Sequence, residues 1–208
     1  MRKFLTEEDL FKLLASFHPL SDELRKDLKR LLRYEEFKCG KCLLKAGSVC
    51  DRIYFITQGM IHCYHGTKEN PDTDFFMTEG EIAMSKISFY DQVQSVLTIE
   101  AMEDVTVLSL SYTDLEWLYQ KYVEFNINGR KLTEIYHKRN DFKSDILRLR
   151  DPVDRFNFMK ERRPELIERV PGKPLASFMG IARETLSRIM SQEKKKSKQK
   201  NRHPQAKM

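Results

Sequence analysis

The stretch VPGKPLASFMGIARETLSRIM, running from Val170 to Met190, decides how this chain is read. Leu175, Phe178 and Met179 recur at helical spacing, Gly180 interrupts, and Ile181, Leu186 and Ile189 resume the apolar pattern. Two short helices around a turn glycine form the pattern of a helix-turn-helix, whose second helix can enter the major groove of DNA. Pro174 suits the first turn of a helix, where its missing N–H costs nothing. Gly180 suits the turn because it takes a positive φ without a steric penalty. With Leu186 and Ile189 facing inward, Arg183, Glu184, Ser187 and Arg188 are left facing out. Arginine can fork onto guanine O6 and N7, and glutamate can accept from cytosine N4. Thr185 or Ser187 can bond a phosphate, which positions without specifying. The same face, taken alone, equally fits a solvated helix with Glu184 and Arg188 paired four apart. The helix–glycine–helix context favours base reading.

Outward from this stretch, Asp151-Pro152 marks a hinge: Asp151 can cap the next helix and Pro152 can start it. The C-terminal module then holds a helix with Val153, Phe156 and Met159 inside, a loop at Arg163-Pro164, and a short helix from Glu165 to Glu168. Before the hinge, Leu132, Ile135, Arg139, Phe142, Ile146 and Leu149 alternate in steps of three and four. That is the a/d seam of a coiled coil with one polar member. Such a seam is expected to pair with its copy in a second chain, rather than pack only on its own chain. A two-fold dimer would set two reading helices on half-sites about one helical turn apart.

From Tyr34 to Ser111 the pattern changes to short strands separated by turn signals. The turns are Lys45-Ala46-Gly47, Gln58-Gly59, Gly66 to Pro71, and Glu79-Gly80. Arg52–Thr57 and Met60–Tyr64 flank Gln58-Gly59, so a hairpin is expected there, and Val105–Leu110 closes the region. A sandwich, roll or barrel follows from this spacing. Two amphipathic helices precede it, one over residues 3–15 and one capped by Ser21 with Leu24, Leu28, Leu31 and Leu32 inside. A helix starting at Ser111 follows it, with Leu115, Leu118 and Tyr122 on one side.

The 208 residues allow one or two domains with a sizeable core. The net charge of +6 is local: from Glu193 onward there are seven lysines and arginines against one acid, which equals the charge of the whole chain. Attraction to phosphate therefore concentrates beside the reading helix. No apolar run is long enough to span a membrane, and the N-terminus lacks the features of a secretion signal. A cytoplasmic location is the expectation. Cys39 and Cys42 have CxxC spacing, which Cys50 and Cys63 do not repeat. Buried reduced thiols are expected rather than a metal site. His62 and His65 lack the convergent spacing of a ligand set, so no metal and no catalytic group is assigned.

The order of parts, and above all Gly180-Ile-Ala-Arg-Glu-Thr-Leu-Ser-Arg-Ile189, resembles the bacterial CRP/FNR family of transcription regulators up to about residue 192. The resemblance implies an α+β fold. An N-terminal jelly-roll-like β-roll (a double-stranded β-helix) over residues 1–111 acts as the sensor. Residues 112–150 carry the dimerisation helix, 151–192 the helix-turn-helix, and 193–208 a disordered basic tail. It implies double-stranded DNA, a second copy of the chain and RNA polymerase as partners, with no enzymatic activity. It places Arg183, Glu184 and Arg188 on base-contacting positions and Thr185 on a phosphate-contacting one.

The chain departs from the family at three points. The cyclic-nucleotide cassette keeps Gly80-Glu81, but Ser85 stands at the ribose glutamate and Ser95-Val96 at the Arg-Ser pair. A buried phosphate without a charge partner is heavily penalised, so cyclic AMP is not expected to bind in the usual way. The pocket would be empty or hold an unidentified, less charged effector. The alternative is a regulator that takes a cyclic nucleotide through a non-standard cassette. Ala182 replaces the usual Ser or Thr cap of the reading helix, a loss of about 0.5–2 kcal/mol. No strand pattern follows Met190, so no wing is expected. Two rival classes are set aside. A cyclic-nucleotide domain governing an enzyme or channel would need a fused segment, and a cupin-type enzyme would need a metal-ligand set.

Overall fold

The computed structural model describes residues 4–202, with side chains described except at 138–140 and 196–202. The chain divides into two compact units, 1–138 and 139–208, and the boundary falls within one long helix.

The first unit opens with α1 (Glu7–Ala15) and α2 (Asp22–Leu31). Thr6 and Asp9 form a reciprocal capping box on α1. Ser21 accepts from the Leu24 N–H at 3.3 Å and so caps α2. Leu24 and Leu28, four apart, are fully covered, each contributing roughly 1.5–3 kcal/mol by burial.

The eight strands that follow are β1 (Arg33–Phe37), β2 (Cys42–Leu44), β3 (Arg52–Gln58), β4 (Ile61–Gly66), β5 (Pro71–Met77), β6 (Ile82–Ala83), β7 (Thr98–Ala101) and β8 (Val105–Ser111). They form two antiparallel sheets in the orders β1-β8-β3-β6 and β2-β7-β4-β5. Ile56 and Val107 lie on one face of the first sheet, while Phe55, Leu108 and Leu110 lie on its other face against Leu10, Leu14, Leu28 and Leu115 of the helices, and these residues join Ile61 and Ile99 of the second sheet in one apolar core.

The hairpin expected around Gln58-Gly59 does not form. β3 pairs with β8 and β6, whereas β4 pairs with β5 and β7, so the chain crosses between sheets at this point. Gly59 has φ +90°, and a Cβ there would lie 2.4 Å from the Asp104 carbonyl oxygen. The glycine marks a corner packed against another turn, and its local signature is the same as that of a hairpin. The real hairpin joins β4 and β5 through the Gly66–Pro71 turn. A short α3 (Lys86–Asp91), which the strand pattern does not announce, fills the link between β6 and β7.

After β8, Ser111 accepts from the Asp114 N–H at 3.1 Å and starts α4 (Tyr112–Lys121). The long α5 (Phe125–Arg148) begins against the first unit. Its buried Asn128 donates to the carbonyls of Leu14 at 2.6 Å and His18 at 3.0 Å, taking up acceptors at the end of α1.

The second unit holds the end of α5 with α6 (Pro152–Arg162), α7 (Pro164–Arg169), α8 (Gly172–Phe178) and α9 (Arg183–Arg202). Asp151 accepts from the Val153 N–H at 2.8 Å and Pro152 opens α6, as the sequence predicts. Ile146, Phe156, Met159, Leu166, Leu175, Phe178, Met179, Leu186 and Ile189 are buried. The basic segment from Glu193 is predicted to be disordered, yet α9 continues through Arg202. Lysine and glutamine are good helix formers, and no glycine or proline interrupts before Pro204. Residues 203–208 of that segment lie outside the described residues.

Candidate nucleic-acid interface and sensor cavity

α8 and α9 are joined by Met179-Gly180-Ile181-Ala182. Gly180 has φ +62°, and a Cβ there would meet Leu147 Cδ2 at 2.8 Å and Arg155 Nη1 at 3.0 Å. Leu186 and Ile189 pack inward, while Arg183, Glu184, Ser187 and Arg188 are exposed and Thr185 is half-buried. The geometry thus presents two guanidinium groups, a carboxylate and a hydroxyl on one face of a helix, with the opposite face anchored. At Ala182 no side-chain oxygen is present to cap α9, and the Ala182 carbonyl accepts from the Leu186 N–H at 3.1 Å. Lys194 and Lys195 continue the exposed surface of α9 beyond this face, and Lys160 pairs with Glu193 at 2.6 Å where the extension begins.

Arg155, which carries no sequence signal, is central to this unit. Its Nε donates to the Leu149 carbonyl at 2.7 Å and its Nη2 to the Leu147 carbonyl at 3.3 Å. Its Nη1 donates to the carbonyls of Met179 at 2.8 Å and Gly180 at 2.9 Å. One side chain therefore joins the end of α5 to the turn of the helix-turn-helix. All its acceptors are backbone atoms, so no partner residue type marks it in the sequence.

The seam residues of α5 are divided between the two units. Leu132 packs on the core of the first unit. Phe142 stacks on Phe158 at 5.6 Å and on Phe178 at 6.2 Å. Ile146 is fully covered within its own chain, which corrects the expectation that it faces a partner. Its periodic spacing serves the core of the second unit. Ile135 and Leu149 are half-buried and Leu147 is exposed, and the side chain of Arg139 lies outside the described residues.

Within the first unit a cavity of about 530 Å³ opens between β4, β5, β6 and α3, bounded also by Tyr136 of α5. Ser85, Ser95 and Val96 line it, at the positions where the cassette spacing places them. Ser95 Oγ donates to Ser85 Oγ at 2.8 Å and accepts from the Leu97 N–H at 3.0 Å, so these hydroxyls are committed to each other and to the backbone. Gly80 (φ +83°) donates its N–H to the Ile56 carbonyl, and Glu81 is buried and accepts from the Thr78 N–H at 2.7 Å. Neither lines the cavity; they hold the turn that leads into it. Tyr136 Oη accepts from the Ile82 N–H and donates to the Ile82 carbonyl. Lys86, which stands in no sequence motif, projects its ammonium 5.5 Å from the Phe75 ring. Burial pulls its pKa below the usual lysine value, and Asp74 opposes that shift.

The cysteines are unpaired thiols: Cys50 and Cys63 are buried, Cys42 is half-buried, and Cys39 is exposed, against the expectation of four buried groups. Complete burial pushes the Cys63 thiol up. His62 is buried in β4 with its Nε2 2.9 Å from Thr73 Oγ1. Among the described residues no group of His, Cys, Asp and Glu is arranged to hold a metal ion, and no helix is long and apolar enough to cross a membrane.

Residues 34–122 match the cyclic nucleotide-binding domain family. A comparison with curated protein sequences finds no significant match. Among solved structures, FixK2 from Bradyrhizobium japonicum is 16% identical over 80% of this chain and 86% of its own, with a TM-score of 0.66. A putative transcriptional regulator of the CRP/FNR family from Eubacterium rectale is 12% identical over 89% and 88%, with a TM-score of 0.68. CLP from Xanthomonas campestris, described as a c-di-GMP-responsive global regulator, is 13% identical over 85% and 93%, with a TM-score of 0.62. At these identities the likeness is one of fold.

Proposed function

We propose that this chain, which carries a cyclic nucleotide-binding domain and the fold of the CRP/FNR transcription regulators, is a homodimeric, sequence-specific DNA-binding regulator. One observation carries the reading: Arg183, Glu184, Ser187 and Arg188 share the exposed face of a helix whose other face is fixed against α8 through Leu186 and Ile189. Arg183, Glu184 and Arg188 read base edges, and Thr185 and Ser187 hold phosphates. The exposed lysines that follow add sequence-independent attraction. Dimerisation uses the half-buried Ile135 and Leu149 and the exposed Leu147 of α5, together with Arg139 of the same seam. The regulator works in the cytoplasm and recruits or blocks RNA polymerase without chemistry of its own.

Its cavity does not take cyclic AMP in the usual way, because serines occupy the places of the ribose and phosphate partners. A second reading, binding of a cyclic nucleotide through other residues, is favoured by the family match over residues 34–122. Gel shifts on mixed-sequence duplex at several salt concentrations test the proposal. The wild type is expected to select a subset of duplexes, and Arg183→Ala with Arg188→Ala to bind weakly and without selection. Equal selection by the double variant would overturn it.

A further inference from the structure

The cavity of the first unit carries on its wall a half-buried ammonium, that of Lys86, with no hydrogen bond or ion pair among the described residues. Its volume, about 530 Å³, lies within the range of small-molecule sites, about 300–1,000 Å³. Most of its wall is apolar, with Phe75, Met77, Ile82, Met84, Val93 and Leu97 exposing carbon and sulfur to the interior. The polar groups on the wall are largely spent. Ser85 and Ser95 bond each other, Tyr136 Oη holds the Ile82 backbone, and Ser88 Oγ accepts from the Cys50 N–H at 2.8 Å and donates to the Val93 carbonyl. Asp74, the single carboxylate on the wall, has a partner. Lys86 does not: its half-buried ammonium makes no hydrogen bond or ion pair among the described residues and lies over the Phe75 ring.

Asp74 on the same wall acts on Lys86 without a direct ion pair, and a half-buried ammonium with its hydrogen-bonding positions open to an apolar cavity has a simple chemical complement. We propose that the cavity binds an amphiphilic carboxylate, with its apolar body against the Met77, Met84 and Leu97 walls and its carboxylate on Lys86 Nζ. The exposed Ile87 and Val96 form an apolar rim through which such a body enters. This deepens the reading of the first unit as a sensor, but the binding itself does not depend on DNA. A nucleotide fits the same wall poorly, since its ribose and base would bring many polar groups against few free partners.

The test is calorimetric titration of the full chain with octanoate, decanoate and dodecanoate, with phenylpropanoate, and with the matching alcohols. The expected result is that at least one acid binds about tenfold or more tighter than its own alcohol. Lys86→Met is expected to keep its thermal transition and to bind acid and alcohol alike, and Lys86→Arg is expected to retain the preference. Three outcomes would each overturn the proposal. The first is equal binding of acid and alcohol by the wild type, the second an absence of binding by every acid, and the third a preference that survives in Lys86→Met. Micromolar binding of cyclic AMP that is lost in Lys86→Met would also overturn it, by assigning Lys86 to a cyclic phosphate. Failure of the chain to bind DNA would leave all these readouts interpretable, so the two claims fail separately.

Discussion

The Arg155 guanidinium donates to the carbonyl oxygen of Gly180 at 2.9 Å, while its other nitrogens hold Leu149 and Leu147 at the end of α5. The turn before the reading helix is therefore fixed by a charge-assisted staple as well as by packing. Arg155→Ala is expected to destabilise the second unit by about 2–3 kcal/mol, since several carbonyls lose an ionic donor at once. Hydrogen exchange of the α8 and α9 amides measures it, and unchanged protection would contradict the role. Lysine cannot reproduce the fork, so Arg155→Lys is expected to recover only part of the loss.

Gly180→Ala tests the same turn from the other side. At φ +62° an alanine is strained by about 1–3 kcal/mol, and its Cβ meets Leu147 2.8 Å away. The expected outcome is a lower unfolding midpoint in urea together with weaker DNA binding. The free volume at Gly172, where nothing lies within reach of an added Cβ, makes Gly172→Ala the matched control.

His62 gives a pH dependence with a definite sign. Burial lowers its pKa from 6.5 to about 4, so the folded chain holds it neutral. Below pH 6.5 the unfolded chain takes up a proton that the folded chain refuses, so this stability is complete above 6.5 and is lost as pH falls towards about 4. The full loss is roughly 3 kcal/mol. His62→Phe, which keeps a ring beside Phe76, is expected to flatten the pH profile of urea unfolding across that window.

Much of the second unit is legible from local chemistry. The Asp151 cap, the Pro152 start, the Gly180 turn and the inward Leu186 and Ile189 each follow from a single residue preference. What escapes sequence reading depends on distant partners. Gly59 looks like a hairpin glycine because a corner and a hairpin both need positive φ. Only the register of β3 on β8 distinguishes them. The three-four spacing of α5 cannot say whose side chains cover it, and Ile146 proves to be covered by its own chain. Lys86 and Arg155 stand in no motif, since one faces a cavity and the other bonds backbone carbonyls.

The helical run from Lys194 adds a prediction about salt. Removing residues after Gln192 is expected to weaken binding to all duplexes alike. It should also reduce the slope of log affinity against log salt by about 0.9 for each phosphate that the shortened chain no longer neutralises. Fluorescence anisotropy on two unrelated duplexes at several salt concentrations checks both. A weakening confined to one sequence would assign the segment to base reading instead.

Paired serines in place of an anion partner predict that cyclic AMP and cyclic GMP leave the thermal transition of the full chain unmoved at micromolar concentration. A shift of several degrees with either nucleotide would favour the second reading.

The central claim, that two copies of this chain present their α9 helices to adjacent major grooves, is tested most directly by selecting bound duplexes from a random pool with the full-length protein. The account predicts an enriched inverted repeat with half-site centres about 10 base pairs apart, and its disappearance when Arg183 and Arg188 are both replaced by alanine. A pool that stays random after repeated rounds, or an enriched single site without symmetry, would contradict it.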